Sequence, residues 1–290
     1  MAKELPKLVE RAVGVHTREE LLRIREGKVA IVGMGCDGCE VADQLVRTGV
    51  GKVTLIDGDE VEETNLNRQR LYTYPDIRAI KVYAAQRRLR HTSPYTKVKA
   101  VYDKLTYDNG SQLLKGHDVV VQGLDGMCAR MIAHEICREL DIPIVTMSGQ
   151  PKLRSVVSTV LPGDPLYQEL FSIELEKPLK DMSDQERRDL DYRLVIERAE
   201  HAVEQGADPS WLDRLRRGET SWSITLGRAP VTGTFQSNEV IKLLTGAEPK
   251  ARAPKIAVYD GNGLAEFGFP NDWGKILEPD AGKYWDYRMF

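Results

Sequence analysis

Residues 28–49, KVAIVGMGCDGCEVADQLVRTG, constrain the fold more than any other stretch of the chain. A short apolar run meets glycines at positions 33, 35 and 38. Helical periodicity then continues until Gly49, which stands where a helix usually ends. Strand, tight turn and helix in that order open a βαβ unit, and Gly33, Gly35 and Gly38 have the G-x-G-x-x-G spacing. Glycine permits the turn and lets a phosphate approach the backbone. The helix start then offers N–H donors and positive partial charge. On its own this motif implies a nucleotide-binding fold, most often a dinucleotide one.

The chain continues the alternation. KVTLID reads as a second strand, residues 77–94 as a helix, KVKAVYDK and DVVVQGLD as strands, GMCARMIAHEICREL as a helix and IPIVTMSG as a fifth strand. Alternating elements of this kind predict a Rossmann-like, doubly wound α/β sheet, mainly parallel, over residues 28–160. Residues 1–27 form an N-terminal helical segment, with helical spacing over 4–26. Residues 161–228 form a helical insertion, or substrate segment, whose highly charged stretch is 183–217. Residues 229–290 supply a C-terminal helix, antiparallel strands and an aromatic tail that docks on the body or on a partner.

Composition removes several function classes. The net charge of −3 gives no electrostatic case for nucleic acid or an anionic membrane, and no apolar run of about 18 residues exists. The start of the chain has no signal-peptide core. Cys36, Cys39, Cys128 and Cys137 are the four cysteines, and their spacing suggests no disulfide framework. Together these features predict a reducing, cytoplasmic setting. The C-x-x-C formed by Cys36 and Cys39 is interleaved with the glycines, where small residues pack well, and packing is favoured over redox or zinc chemistry.

The stretch 56–70, IDGDEVEETNLNRQR, is denser in polar groups than a strand end requires. A plain surface loop is the bland explanation. Asp57 closes the second strand, where an acid can bond ribose hydroxyls. A dinucleotide oxidoreductase needs little beyond that acid. Asn65, Arg68 and Gln69, with Lys81 further on, add cations and amides that suit a triphosphate: arginine as a planar fork, lysine as a point charge.

These residues in this order resemble the ThiF/MoeB family of adenylating enzymes, the superfamily of the ubiquitin-activating enzymes. The glycine loop, D-G-D, N-L-N-R-Q, Lys81, the VVVQGLDGMCAR stretch, the TGTFQSNEVIKLLTG helix and the KIAVYDGNGLAEF strands all take part. The resemblance implies formation of an acyl-adenylate from ATP and a carboxylate, with release of pyrophosphate. It implies that Gly33, Gly35 and Gly38 line the ATP, that Asp57 binds the ribose and that Asp59 sits beside the phosphates. Asn65, Arg68 and Lys81 would hold the triphosphate, with Gln69 in the same motif, and Asp125 would hold Mg²⁺. Arg68, Lys81 and Asp125 would then be the catalytic residues. The competing reading of Asp125 is a helix N-cap, since it precedes GMCARMIAHEI.

Departures from the family pattern refine this expectation. Cys36 replaces a glycine of the usual loop, Gly126 stands where asparagine is usual, and DIRAIK replaces the usual approach to the lysine. No cysteine follows Cys137. The resemblance therefore implies neither the family's cysteine-bound zinc nor a thioester cysteine in the second half. The family's N-terminal arginine motif is missing, which leaves Arg11 and Arg18 as candidates to reach across a homodimer. These absences favour a small-molecule carboxylate as acceptor, such as the guanylylpyridinol carboxylate that one branch of the superfamily adenylates in hydrogenase cofactor biosynthesis. The alternative is the C-terminal glycine of a ubiquitin-like sulphur carrier of the thiamine or molybdopterin type, or another downstream acyl acceptor protein. Remoter alternatives are an NAD-binding oxidoreductase and a scaffold that only binds a ubiquitin-like partner.

Overall fold

A computed structural model of the 290-residue chain describes residues 5–149, 155–204, 206–222, 227–259 and 264–268, with backbone alone at 149, 258–259 and 264–268. The apolar runs become strands β1 (Lys28–Val32), β2 (Lys52–Ile56), β3 (Lys97–Val101), β4 (Val119–Gln122), β5 (Ile144–Gly149), β6 (Ser155–Val160), β7 (Ile256–Tyr259) and β8 (Leu264–Gly268). They form one sheet in the order β3-β2-β1-β4-β5-β6-β7-β8. The pairings from β3 through β5 are parallel, and those from β5 through β8 are antiparallel.

Strand side chains alternate between two cores, as the period-2 pleat requires. Val29, Ile31, Val53, Leu55, Val119 and Val121 face α1 (Arg18–Glu26), α2 (Cys36–Thr48), α3 (Lys81–Thr92) and α9 (Arg228–Thr245). Ala30, Val32, Ile56, Val120 and Ile144 face α4 (Tyr107–Leu114), α5 (Met127–Glu139), α6 (Tyr167–Leu170) and α7 (Asp184–Glu204). Helix α2 is buried on nearly all sides because α9 covers its outer face. Gly233 permits that approach, since a Cβ there would lie 2.4 Å from Glu40 Cβ.

Three boundaries differ from the sequence expectation. Residues 4–26 are not one helix: a 3-10 stretch, Lys7–Ala12, stops before Gly14 at φ 102°. Helix α1 starts afresh at a capping box between Thr17 and Glu20. Helix α3 begins at Lys81 rather than at 77, because residues 78–81 pair with residues 59–61 instead of coiling. Helix α4 was not foreseen. It is started by Asn109 Oδ1, which accepts from Thr106 N at 2.9 Å, and is seated by Gly110 against Ile136.

The charged insertion forms α7 and α8 (Pro209–Arg216) around a small core of Ala199, Leu212 and Leu215. Trp211 and Trp222 are half-buried and meet edge to face at 5.4 Å between centroids. The aromatic tail after residue 268 lies outside the described residues.

Candidate functional site

The strand order reverses at β1, which lies between β2 and β4, and in such sheets the crevice at the carboxyl ends of the strands is where ligands bind. Two adjoining hollows open there. One, of about 390 Å³, is bounded by Gly33 and Gly35, Asp57, Leu105 and Leu124. The other, of about 550 Å³, is bounded by Asn65, Arg68, Gln69 and Arg78. Asp59, Lys81 and Asp125 belong to both, so they stand at the junction.

The three glycines do different things. Gly33 has φ 92°, and a Cβ there would lie 2.4 Å from Gly123 O, so any side chain would push the β1 and β4 ends apart. Gly35 is the N-cap of α2 and has no atom within 4 Å of where its Cβ would be, which leaves the helix start open to a ligand. Gly38 does not line the hollow. It packs beneath the loop, where a Cβ would be 2.0 Å from Gly33 O.

Asp57 stands at the end of β2. Its carboxylate accepts from Met34 N at 2.6 Å and from Asp59 N at 2.8 Å, which ties the glycine loop to the D-G-D turn. Burial raises its pKa above the usual carboxylate value, with Lys81 and these amides opposing. Asp59 is more open. Burial disfavours its charge, but Lys81 and Lys104 outweigh that and hold its pKa below the usual value. Lys81 Nζ is 3.4 Å from Asp59 Oδ2, and Lys104 Nζ is 3.2 Å from Asp59 Oδ1.

Lys81 reaches this place through backbone pairing. Val61 N donates to Ala79 O, Arg78 N donates to Val61 O and Lys81 N donates to Asp59 O, at 2.8–3.0 Å. Arg78 takes φ 71° to make the turn. Asn65 is buried and fixes the preceding turn by accepting from Glu62 N at 3.1 Å. Among the described residues, Arg68 Nη1 donates to neutral oxygens alone, Thr64 O at 2.7 Å and Asn67 Oδ1 at 3.0 Å. Gln69 is buried at the wall of the second hollow, and its Oε1 has no partner among the described residues.

Asp125 follows β4, is exposed, and makes no hydrogen bond or ion pair among the described residues. It is not the cap of α5. The N-cap is Gly126, and the capping oxygen comes from Asp191 Oδ1, which accepts from Cys128 N at 2.8 Å. Behind this loop, Arg228 pairs with Asp37 at 2.9 Å, both nearly fully buried. Arg130 donates to Leu124 O at 2.8 Å, and Arg198 lies over the Trp222 ring at 4.7 Å.

All four cysteines are buried and unbridged. Burial pushes the Cys39, Cys128 and Cys137 thiols up to about 12, and burial together with Asp37 raises Cys36 well above its usual value. Among the described residues no group of three or more His, Cys, Asp or Glu side chains is placed to hold a metal ion. A site made of one carboxylate and phosphate oxygens would not form such a group. No helix of the described residues is long and apolar enough to cross a membrane.

Sequence reasoning missed Lys104, Gly58 and Asp191. Lys104 lies past the end of β3, beside β2, and that end of the sheet should have marked it as a crevice residue. Its stem crosses Gly58, where a Cβ would be 2.5 Å from Lys104 Cγ. Asp191 carries no local signal that it caps a helix 63 residues away.

The sequence model of the ThiF family matches residues 9–271. The sulfur carrier protein adenylyltransferase of Thermus thermophilus is 36% identical over 123 residues, 42% of this chain and 45% of that protein. The sulfur carrier protein ThiS adenylyltransferase of Bacillus subtilis is 32% identical over 143 residues, 46% of this chain and 43% of that protein. The chain thus spans less than half the length of either relative. The solved structure of E. coli MccB with ATP superposes with a TM-score of 0.63 at 19% identity, covering 87% of this chain and 67% of that one, a likeness of fold.

Proposed function

The chain belongs to the ThiF family, and on that premise we propose that it is an adenylyltransferase that activates a carboxylate with ATP and releases pyrophosphate. The observation that carries this reading is the junction of the two hollows. There Lys81, Asp59 and Asp125 stand between the glycine loop and the Arg68 turn. The glycine-lined hollow suits the nucleoside, with Asp57 on the ribose, and the arginine-lined hollow suits the phosphates.

In this reading a carboxylate oxygen attacks the α-phosphorus. The bond from that phosphorus to the bridging oxygen breaks, and pyrophosphate departs with the electron pair. Charge builds on phosphoryl oxygens, and pre-placed cations stabilise it with little covalent work by the protein. Arg68 can turn from its neutral acceptors toward the β- and γ-phosphates. Lys81 shares Asp59 with Lys104, so Asp59 keeps a counter-charge when Lys81 turns to phosphate. Asn65 shapes the turn that carries Arg68, and Gln69 Oε1, without a partner among the described residues, can accept from the ligand side.

Asp125 would hold Mg²⁺. An exposed carboxylate with no partner among the described residues, beside phosphate oxygens, is a donor set that suits this ion, which keeps several waters and takes one or two carboxylates. When bound, the ion would polarise a phosphoryl oxygen. Cysteine-bound zinc has no place in this reading.

The acceptor we propose is a small-molecule carboxylate, the guanylylpyridinol type included. The inserted segment, residues 161–228, would form its side of the site, and no cysteine there could take over an acyl group. A ubiquitin-like sulphur carrier is the second reading, favoured by the names of the two relatives. We further propose a homodimer in which Arg11 or Arg18, both exposed, reaches the partner's cleft. Pyrophosphate–ATP exchange against a panel of small carboxylates and carrier C-terminal peptides tests the whole reading. Exchange with none of them, together with tight NAD binding and no ATP binding, would refute it.

A further inference from the structure

Asp191 lies on α7, in the segment inserted between β6 and α9, yet it completes the start of α5. Its Oδ1 accepts from the backbone N–H of Cys128 at 2.8 Å. That N–H is one of the donors at a helix start that have no partner within the helix. The N-cap side chain usually takes one of them, but Gly126 has none to offer. Asp125, one residue earlier, does not turn to the task and leaves its carboxylate in the cleft. The fit is close, because a Cβ at Gly126 would lie 3.3 Å from Asp191 Oδ2. Two further contacts hold α7 to this turn: Cys128 Sγ donates to Arg187 O at 3.3 Å, and Arg198 Nη1 reaches Met127 Sδ at 3.6 Å.

We propose that Asp191 is a positioning residue for Asp125, and that it couples the inserted segment to the nucleotide cleft. A carboxylate at a helix start satisfies an N–H and meets the positive end of the helix dipole. If it is removed, the helix can start one residue earlier, with Asp125 as the nearest carboxylate able to cap it. A carboxylate used as a cap is withdrawn from the cleft. In the intact protein the inserted segment performs the capping, and Asp125 is left for the metal. Any displacement of α7 is then transmitted to the metal side of the cleft through this hydrogen bond and the two contacts beside it. The proposal rests on the adenylation reading, because that reading gives Asp125 its role.

The test is ATP binding by calorimetry as Mg²⁺ is titrated, with the parent, Asp191→Ala, Asp191→Asn and the double variant Asp191→Ala/Gly126→Asn, all below their melting temperatures. Asp191→Ala is expected to need about 10-fold more Mg²⁺ for half-maximal binding, the size of one lost cap. Metal-free ATP binding should not change, which separates positioning from general loss of structure. The double variant, with a cap supplied by a neutral side chain at position 126, is expected to return to within about 2-fold of the parent. Should Asp191→Ala melt too low to assay, Asp191→Asn carries the test with an expected rise of about 3-fold, since it keeps the acceptor and loses the charge. A parent-like titration of the Ala or Asn variant would overturn the proposal. So would a double variant that regains thermal stability without regaining its Mg²⁺ response. A parent that binds no ATP at any Mg²⁺ concentration overturns the adenylation reading itself, and that result is visible before any variant is made.

Discussion

Lys81 and Asp59 face each other at 3.4 Å because the backbone of residues 78–81 pairs with that of residues 59–61. The lysine is therefore placed by main-chain hydrogen bonds and not by its helix alone, and Asp59 has a second cation in Lys104. Replacing Lys81 by alanine should leave the fold standing and remove charge stabilisation from the transition state. The expected loss in pyrophosphate exchange is about 10²- to 10³-fold, or roughly 3–4 kcal/mol, and the same holds for Arg68→Ala. Near-parental exchange with unchanged circular dichroism would mean that neither residue meets the phosphates.

Asp125→Ala should abolish the Mg²⁺ dependence of ATP binding without lowering the melting temperature, because its carboxylate has no partner among the described residues to lose. Calorimetry with and without Mg²⁺ measures this directly. A drop in melting temperature with the Mg²⁺ response intact would assign Asp125 a structural role instead.

His134 is fully buried on α5, and neither ring nitrogen has a partner among the described residues. Burial, with Arg130 and Arg138 adding to it, lowers its pKa from 6.5 to about 3. The unfolded chain therefore binds this proton first as pH falls. The contribution of neutral His134 is fully present above pH 6.5 and is lost progressively between 6.5 and about 3, at up to roughly 1.4 kcal/mol per pH unit. His134→Leu should flatten that part of the stability profile in urea melts. An unchanged slope between pH 6 and 4 in the variant would show that other groups set it.

The buried pair of Asp37 and Arg228 joins the start of α2 to the start of α9 at 2.9 Å. Removing one partner leaves an uncompensated buried charge, so Asp37→Leu alone should destabilise by about 3–5 kcal/mol. Changing both residues to apolar side chains of similar volume should recover most of that loss. Denaturant midpoints at constant m-value are the measure. If the double variant were no better than the single one, the pair would be holding geometry rather than balancing charge.

The cysteines should be chemically silent. A nucleophilic thiol must be reachable and ionised, and these four are buried, with three of them pushed to about 12. Native protein should resist iodoacetamide at pH 8, while the unfolded chain alkylates at all four. Mass spectrometry after turnover should find no thiol-labile acyl adduct. Such an adduct on any cysteine would restore a covalent relay.

The glycine turn, the strands around it and the gathering of the Asp57–Gln69 run at the crevice were legible in the sequence because each carries a local signal: a backbone with no room for Cβ at Gly33, apolar runs for the strands, and a dense polar stretch at a strand end. Features that depend on distant pairing were not legible. Residues 77–80 continue the helical pattern of the sequence, yet they form a turn through Arg78 because Arg78, Ala79 and Lys81 exchange main-chain hydrogen bonds with residues 59–61. Helix α4 is written in Asp, Asn, Gly and Ser, poor helix formers, and is held by its cap and by the fit of Gly110 on Ile136. The cap of α5 could not be assigned to Asp191, because nothing local says which carboxylate will arrive from another element. The partner of Asp37 lies 191 residues away, and no spacing rule reaches that far.

The inserted helices leave the sheet after β6 and return at α9, and those two flanks are bonded to each other: Thr232 Oγ1 donates to Ser155 Oγ at 2.7 Å, and Thr159 Oγ1 donates to Glu239 Oε2 at 3.0 Å. The excursion is therefore a loop whose ends are already closed by the core. Doubling the length of such a loop costs only about 0.6 kcal/mol in closure entropy. The segment can therefore be lengthened, shortened or exchanged at little cost while the sheet stays folded, which is the freedom that the proposed role in acceptor choice asks of it.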